Sequence, residues 1–161
     1  MQNAKFFGRQ DELQKLSALW KKRSAQLVTV SGRRRIDKST LINHFAESAD
    51  RYLKFQGLVP DKGIGRAQQL SAFSAQLARQ TGLPALKLSD WSEAFSLAAK
   101  TLQPEKTVIL LDEISWMASG SPQLASQLQA AWEMEFKSHS SLILIVCGSA
   151  PIVIHRISKN R

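Results

Sequence analysis

Apolar positions along the chain fall into two patterns. Residues 26–31 (QLVTVS), 107–111 (TVILL) and 142–147 (LILIVC) are short runs rich in Val, Ile and Leu with no alternation. Strands covered on both faces have this composition, so the three runs predict buried parallel strands. Residues 52–58 (YLKFQGL) mix polar and apolar positions and predict a fourth strand nearer a sheet edge. Between the runs the spacing becomes helical: Leu13, Leu16 and Trp20 form one stripe, Leu70, Phe73 and Leu77 a second, and Leu124, Leu128, Trp132 and Phe136 a third. Asp90, with Glu93 three positions on, resembles a capping box for a helix that opens near Trp91 and buries Phe95 and Leu102. Residues 60–65 (PDKGIG), 81–90 (TGLPALKLSD) and 118–122 (ASGSP) predict loops. Strand and helix in alternation predict an α/β sandwich with a mainly parallel sheet.

Composition narrows the class. A chain of 161 residues, 43% hydrophobic and 22% charged, reads as one globular domain over residues 1–161, long enough to hold a core without disulfides or a structural metal. The single cysteine, Cys147, lies in an apolar run, where a buried, inert thiol and a reducing cytoplasm are expected. The longest aliphatic runs are about six residues against the roughly twenty of a membrane helix, and MQNAKFFGRQ has no signal-peptide core. Membrane and secreted classes are therefore not expected. With 22 Lys and Arg against 13 Asp and Glu, the net charge is +9. That excess suits an anionic partner: nucleotide, nucleic acid or an acidic protein surface. A piece cut from a larger protein can also be basic because its acidic counterpart is elsewhere. Residues 151–161 end in ISKNR without a stop signal or a completed element, so a C-terminally truncated chain is expected.

The chemistry concentrates in VTVSGRRRIDKSTLINHF: an apolar strand, Gly32, then Lys38, Ser39 and Thr40 opening a helix. A phosphate-binding loop needs these parts, with backbone N–H groups at a helix N-terminus to cradle phosphate oxygens, a lysine for the β and γ phosphates and a hydroxyl for Mg²⁺. The pattern G-x-x-x-x-G-K-[ST] departs at one position, where Asp37 stands in place of glycine. In TVILLDEIS a buried strand ends in Asp112 and Glu113, the place for one carboxylate near Mg²⁺ and a second that polarises an attacking water. A strand cap or helix start explains Asp-Glu equally well in isolation. LILIVCGSA ends in Gly148 and Ser149 at the strand edge where open α/β sheets bind ligands, although such a serine is more often a turn residue.

Taken together, FFGRQDEL, SGRRRIDKSTL, LLDEISWM and LILIVCGSA resemble the archaeal-type P-loop ATPases, related to the signal-transduction ATPases with numerous domains. The resemblance runs from Phe7 to Ala150. It implies a three-layer sandwich with sheet order 5-1-4-3-2, of which this chain holds at most four strands, the fifth being absent. It implies ATP and Mg²⁺ as cofactors, with Phe7, Gly8 and Arg9 near the adenine. It further implies Gly32, Arg33, Arg34, Arg35, Ile36, Asp37, Lys38, Ser39 and Thr40 around the phosphates, Ser39 and Asp112 on Mg²⁺, Glu113 as base and Ser149 as sensor. Members of the family continue into helical, winged-helix or nuclease-like regions, through which a nucleic-acid or protein partner would bind.

Asp37 places a carboxylate beside the expected phosphates, so the reading is an ATPase core with an impaired loop. Two alternatives stand beside it: a non-catalytic interaction module with an ATPase-like fold, and a basic fragment that binds nucleic acid. The first strand, without a fifth beside it, is an open edge from which self-association is expected. The three consecutive arginines cannot all face one ligand, so at least one is a solvated loop charge. Trp91 and Trp132 sit at helical spacing and are expected in the core, while Trp116 is left open as a stacking surface. His44, His139 and His155 lack ligand spacing, so no metal beyond nucleotide-borne Mg²⁺ is expected.

Overall fold

A computed structural model describes residues 10–31 and 35–148, with residues 31 and 35–37 described through their backbone alone. The three unalternating runs are strands β1 (Gln26–Ser31), β3 (Thr107–Asp112) and β4 (Leu142–Gly148), and every position of β3 and β4 is buried. The mixed run is β2 (Arg51–Gln56), buried only at Leu53 and Phe55. The four form one parallel sheet in the order β1-β4-β3-β2. Each predicted strand is present, and the mixed one is at an edge, where one face and one row of backbone groups leave the core.

Helices cover both faces. Odd-numbered positions of β3 (Ile109, Leu111) and even-numbered positions of β4 (Leu142, Leu144, Val146) face a core built with α3 (Arg66–Thr81), α4 (Trp91–Lys100), α5 (Ile114–Met117) and α6 (Leu124–Ala131). The opposite positions (Val108, Leu110, Ile143, Ile145, Cys147) face α1 (Gln10–Ala18), its 3₁₀ extension Leu19–Lys22 and α2 (Arg35–Ala46). Phe73 is the hinge of the larger core, stacked on Phe55 at 4.2 Å and meeting Trp91 edge-on at 5.5 Å. Trp91 is fully buried, and its indole N–H donates to Ser121 Oγ (3.2 Å), while Trp132 is buried and Trp116 half-buried. The Asp90 cap accepts from the Glu93 backbone N–H (2.9 Å), and Glu93 Oε1 accepts from the Ser89 N–H (2.7 Å), one residue before the reciprocal partner of an ordinary capping box. The last apolar stripe widens into a π-helical turn over Trp132–Phe136, which keeps both aromatic residues inside.

The two sheet edges differ. On α3, Gln69, Gln76 and Gln80 recur at seven- and four-residue spacing, which puts them on one helix face. Each pairs its amide with both backbone groups of one residue after or along β2. Gln80 accepts from Lys54 N–H (2.8 Å) and donates to its carbonyl (3.0 Å). Gln76 does the same for Gln56 (2.8 and 3.1 Å), and Gln69 for Leu58 (2.8 and 2.9 Å). A carboxamide presents the same donor and acceptor as a peptide, so the three side chains close an edge that would otherwise expose a row of unpaired backbone groups. At the other edge β1 pairs with β4 on one side, and among the described residues with nothing on the other.

Candidate functional site

The chemistry gathers at the carboxyl ends of β1 and β3. Alternation along β3 places Asp112 on the face of Val108 and Leu110, toward α2. There Ser39 Oγ lies 3.5 Å from Asp112 Oδ2, too long for a strong hydrogen bond. The other carboxylate oxygen accepts from the Glu113 backbone N–H at 2.9 Å. Lys38, Asp112 and Glu113 are all buried, at 3%, 7% and 4% exposure. Charged groups seldom reach such burial unless they serve one another or a ligand.

Cys147, the β4 residue in register with Asp112, reports the same cluster. Burial above all, and then the Asp112 carboxylate, push its thiol up to about 12, with the Lys38 ammonium opposing them. The expected buried, free thiol is present. Tyr52 on β2 donates its hydroxyl to Asn43 Oδ1 of α2 (2.7 Å), and burial followed by Asp112 raises its pKa.

Lys38, Ser39, Asp112 and Glu113 are thus brought together, with Thr40 half-buried beside them on α2. Gly8, Arg9, Gly32, Arg33, Arg34 and Ser149 lie outside the described residues. The backbone of Arg35, Ile36 and Asp37 is the first turn of α2, which opens at Arg35 instead of at Lys38. Asp costs less than Gly in helical backbone, so position 37 does not interrupt the turn as the glycine of the pattern would.

Gly57 was not singled out from sequence, although it belongs to the site. Its N–H donates to the Asp112 carbonyl (3.1 Å), tying the end of β2 to the end of β3. A Cβ built there would lie 2.8 Å from the Glu113 carbonyl oxygen, 2.8 Å from Met117 N and 2.9 Å from Trp116 Cβ. Glu113 itself has φ 55° and ψ 54°, left-handed for a residue with a side chain, and its carbonyl accepts from the N–H groups of Trp116 (2.9 Å) and Met117 (3.2 Å). The first turn of α5 therefore rests directly on the Gly57 backbone. The readable signal was an isolated glycine closing a strand pattern, which marks close backbone approach.

The oxygen-only set of a hydroxyl and a carboxylate, one from each of two elements, matches what Mg²⁺ takes when it arrives with phosphates. Among the described residues no group of three His, Cys, Asp or Glu side chains is placed to hold a metal by itself. Among the same residues no helix is long and apolar enough to cross a membrane.

No family model and no curated protein matches the sequence. Solved structures do match the fold. Cdc6p from Pyrobaculum aerophilum superposes with a TM-score of 0.62 at 19% identity, over 88% of this chain and 39% of that one. A Walker-type ATPase of Pyrococcus abyssi gives 0.55 at 17% identity, over 88% and 45%. Drosophila ORC bound to DNA gives 0.54 at 9% identity, over 92% and 79%. The chain spans less than half the length of the two archaeal proteins. With its all-parallel 1-4-3-2 sheet between two helical layers, the chain has the fold of the P-loop ATPases of the Cdc6 and ORC type.

Proposed function

We propose that this chain is an ATPase core whose carboxyl sheet edge binds Mg-ATP, and that Asp37 weakens that binding. The observation that carries the reading is the convergence of Lys38 and Ser39 from α2 with Asp112, which ends β3, and Glu113, which follows it, at one sheet end. Mg²⁺, when bound, supplies charge neutralisation on the phosphate oxygens. Ser39 Oγ and Asp112 would hold it, and Lys38 would bind the phosphates as a buried point charge. Glu113 would take a proton from the attacking water. Its left-handed backbone turns it out of the strand line, and the Asp112 carboxylate anchors its N–H.

Asp37 opposes this at one position. A unit charge about 4 Å from a phosphate oxygen costs roughly 4 kcal/mol at an effective dielectric of about 20. Half of that is more than tenfold in affinity. A carboxylate in the first turn would also compete with a phosphate for the positive helix end. Titration calorimetry with Mg-ATP tests the reading: the natural chain binds at least tenfold more weakly than Asp37→Gly. Equal affinities remove Asp37 as an obstacle, and no binding by either protein leaves an interaction module with an ATPase-like fold. DNA as a partner draws support from the similar structure of Drosophila ORC bound to DNA, and from the +9 charge.

A further inference from the structure

The end of the sheet opposite the candidate ATP site also carries a built surface. Two adjoining cavities of about 310 and 230 Å³ open where β3 and β4 begin, and they share Ser140, Ser141 and Leu142. The polar lining of the larger one is Arg23, Ser24, Lys106, Ser140 and Ser141, with the indole of Trp20. Among the described residues no carboxylate lines it. Lys21 and Lys22 lie immediately before it in the chain, and both are exposed, as are Arg23 and Lys106. Among the described residues neither Arg23 nor Lys106 takes part in an ion pair.

Two acids lie close by. Asp50 Oδ2 accepts from the Lys106 backbone N–H (3.1 Å), and Glu105 lines the smaller cavity. Arg23 ends the 3₁₀ helix at φ 55°, a left-handed position that glycine or asparagine would fill more easily. Lys106 Nζ lies 5.3 Å from the Trp20 ring centroid, and the ring also stacks on Phe45 at 5.7 Å. The indole N–H donates to Ser48 Oγ (2.9 Å). With its ring engaged this way, Trp20 holds a cation in place and offers no platform for a stacked base.

Cations and hydroxyl donors around one cavity, with no stacking surface, suit a chain of phosphodiesters read by charge alone. We infer that the amino end of the sheet, centred on Arg23 and Lys106, is a nucleic-acid backbone site that does not read bases. A six-residue strand spans about 20 Å, so this site and the ATP site lie on opposite ends of the sheet and do not compete.

The test is anisotropy of a labelled short DNA duplex of arbitrary sequence with the full chain, between about 50 and about 200 mM salt. Neutralising both cations, Arg23→Gln with Lys106→Gln, lowers the slope of log K against log salt by roughly 2. Exchanging them, Arg23→Lys with Lys106→Arg, keeps the slope, which separates lost charge from lost packing. Lys62→Gln with Lys87→Gln removes the same charge from exposed positions elsewhere and leaves the slope near that of the natural chain. Saturating Mg-ATP does not displace the duplex. Equal losses in the two neutralised proteins, or loss in the charge-preserving exchange, overturn the inference. So does displacement by polyglutamate as effective as by duplex at matched charge, which would assign the surface to an acidic polypeptide.

Discussion

Substituting Gly57 by alanine inserts one methyl group where three atoms already stand. The new Cβ meets a carbonyl oxygen and an amide nitrogen at 2.8 Å and a side-chain carbon at 2.9 Å. Optimal non-bonded contacts begin near 3.5 Å, so each neighbour must retreat by about 0.6–0.7 Å. Two of the three are backbone atoms of Glu113 and Met117, so relief requires the first turn of α5 to move as a unit. Overpacking of this kind costs about 1–3 kcal/mol, and each kcal/mol lowers the Tm of a chain this size by roughly 2–4 °C. The displaced residue is the proposed base. A misplacement of about 1 Å at a reacting group can cost about 10²-fold in rate, so half of that displacement predicts a loss of kcat of roughly tenfold. Lys38 and Ser39 stand on α2 and keep their places, so Mg-ATP affinity stays within about twofold. Melting curves and single-turnover hydrolysis, both in an Asp37→Gly background, measure the two effects. A Gly57→Ala protein with unchanged Tm and unchanged turnover refutes the contact. A loss of affinity equal to the loss of rate refutes its confinement to Glu113.

Further measurements separate the remaining roles. Glu113→Gln abolishes hydrolysis in the same background and leaves Mg-ATP affinity nearly intact, whereas Asp112→Asn weakens Mg²⁺-dependent binding; calorimetry and a phosphate-release assay distinguish them. Gln69→Leu, which strips two hydrogen bonds at a fully buried amide, lowers stability by about 2 kcal/mol in urea titrations, while Gln80→Leu at the exposed end, where water replaces the amide, lowers it by less than about 1 kcal/mol. Cys147 in the folded chain resists iodoacetamide at pH 8, since burial and Asp112 keep its thiol neutral there; mass spectrometry finds rapid labelling only after denaturation.

Much of the architecture was legible because burial on both faces leaves a plain mark in sequence. Runs such as LILIVC have no polar position to alternate with, and they became the fully buried β4. The Asp112 and Glu113 pair was legible for the same reason, as acids ending an apolar run. Less legible was anything fixed by backbone approach. Gly57 looked like strand because its neighbours Phe55 and Leu58 are apolar, and nothing local says that another chain segment stands 2.8 Å from its absent Cβ. The start of α2 was placed at Lys38 from motif spacing, but aspartate costs helical backbone less than the motif's glycine and the helix begins at Arg35. The glutamines of α3 carry no local mark of their role, because their partners lie on or just after β2, eleven to twenty-six residues away.

That polar face gives the sheet a direction of growth. A strand arriving beside β2 would have to displace six hydrogen bonds already made by Gln69, Gln76 and Gln80 before forming its own. Beside β1 none of the described residues makes such bonds. An added strand, whether from this polypeptide or from a second molecule, is therefore opposed less next to the strand that leads into α2. Assembly and phosphate recognition would then act on the same backbone, one along its edge and the other at its end.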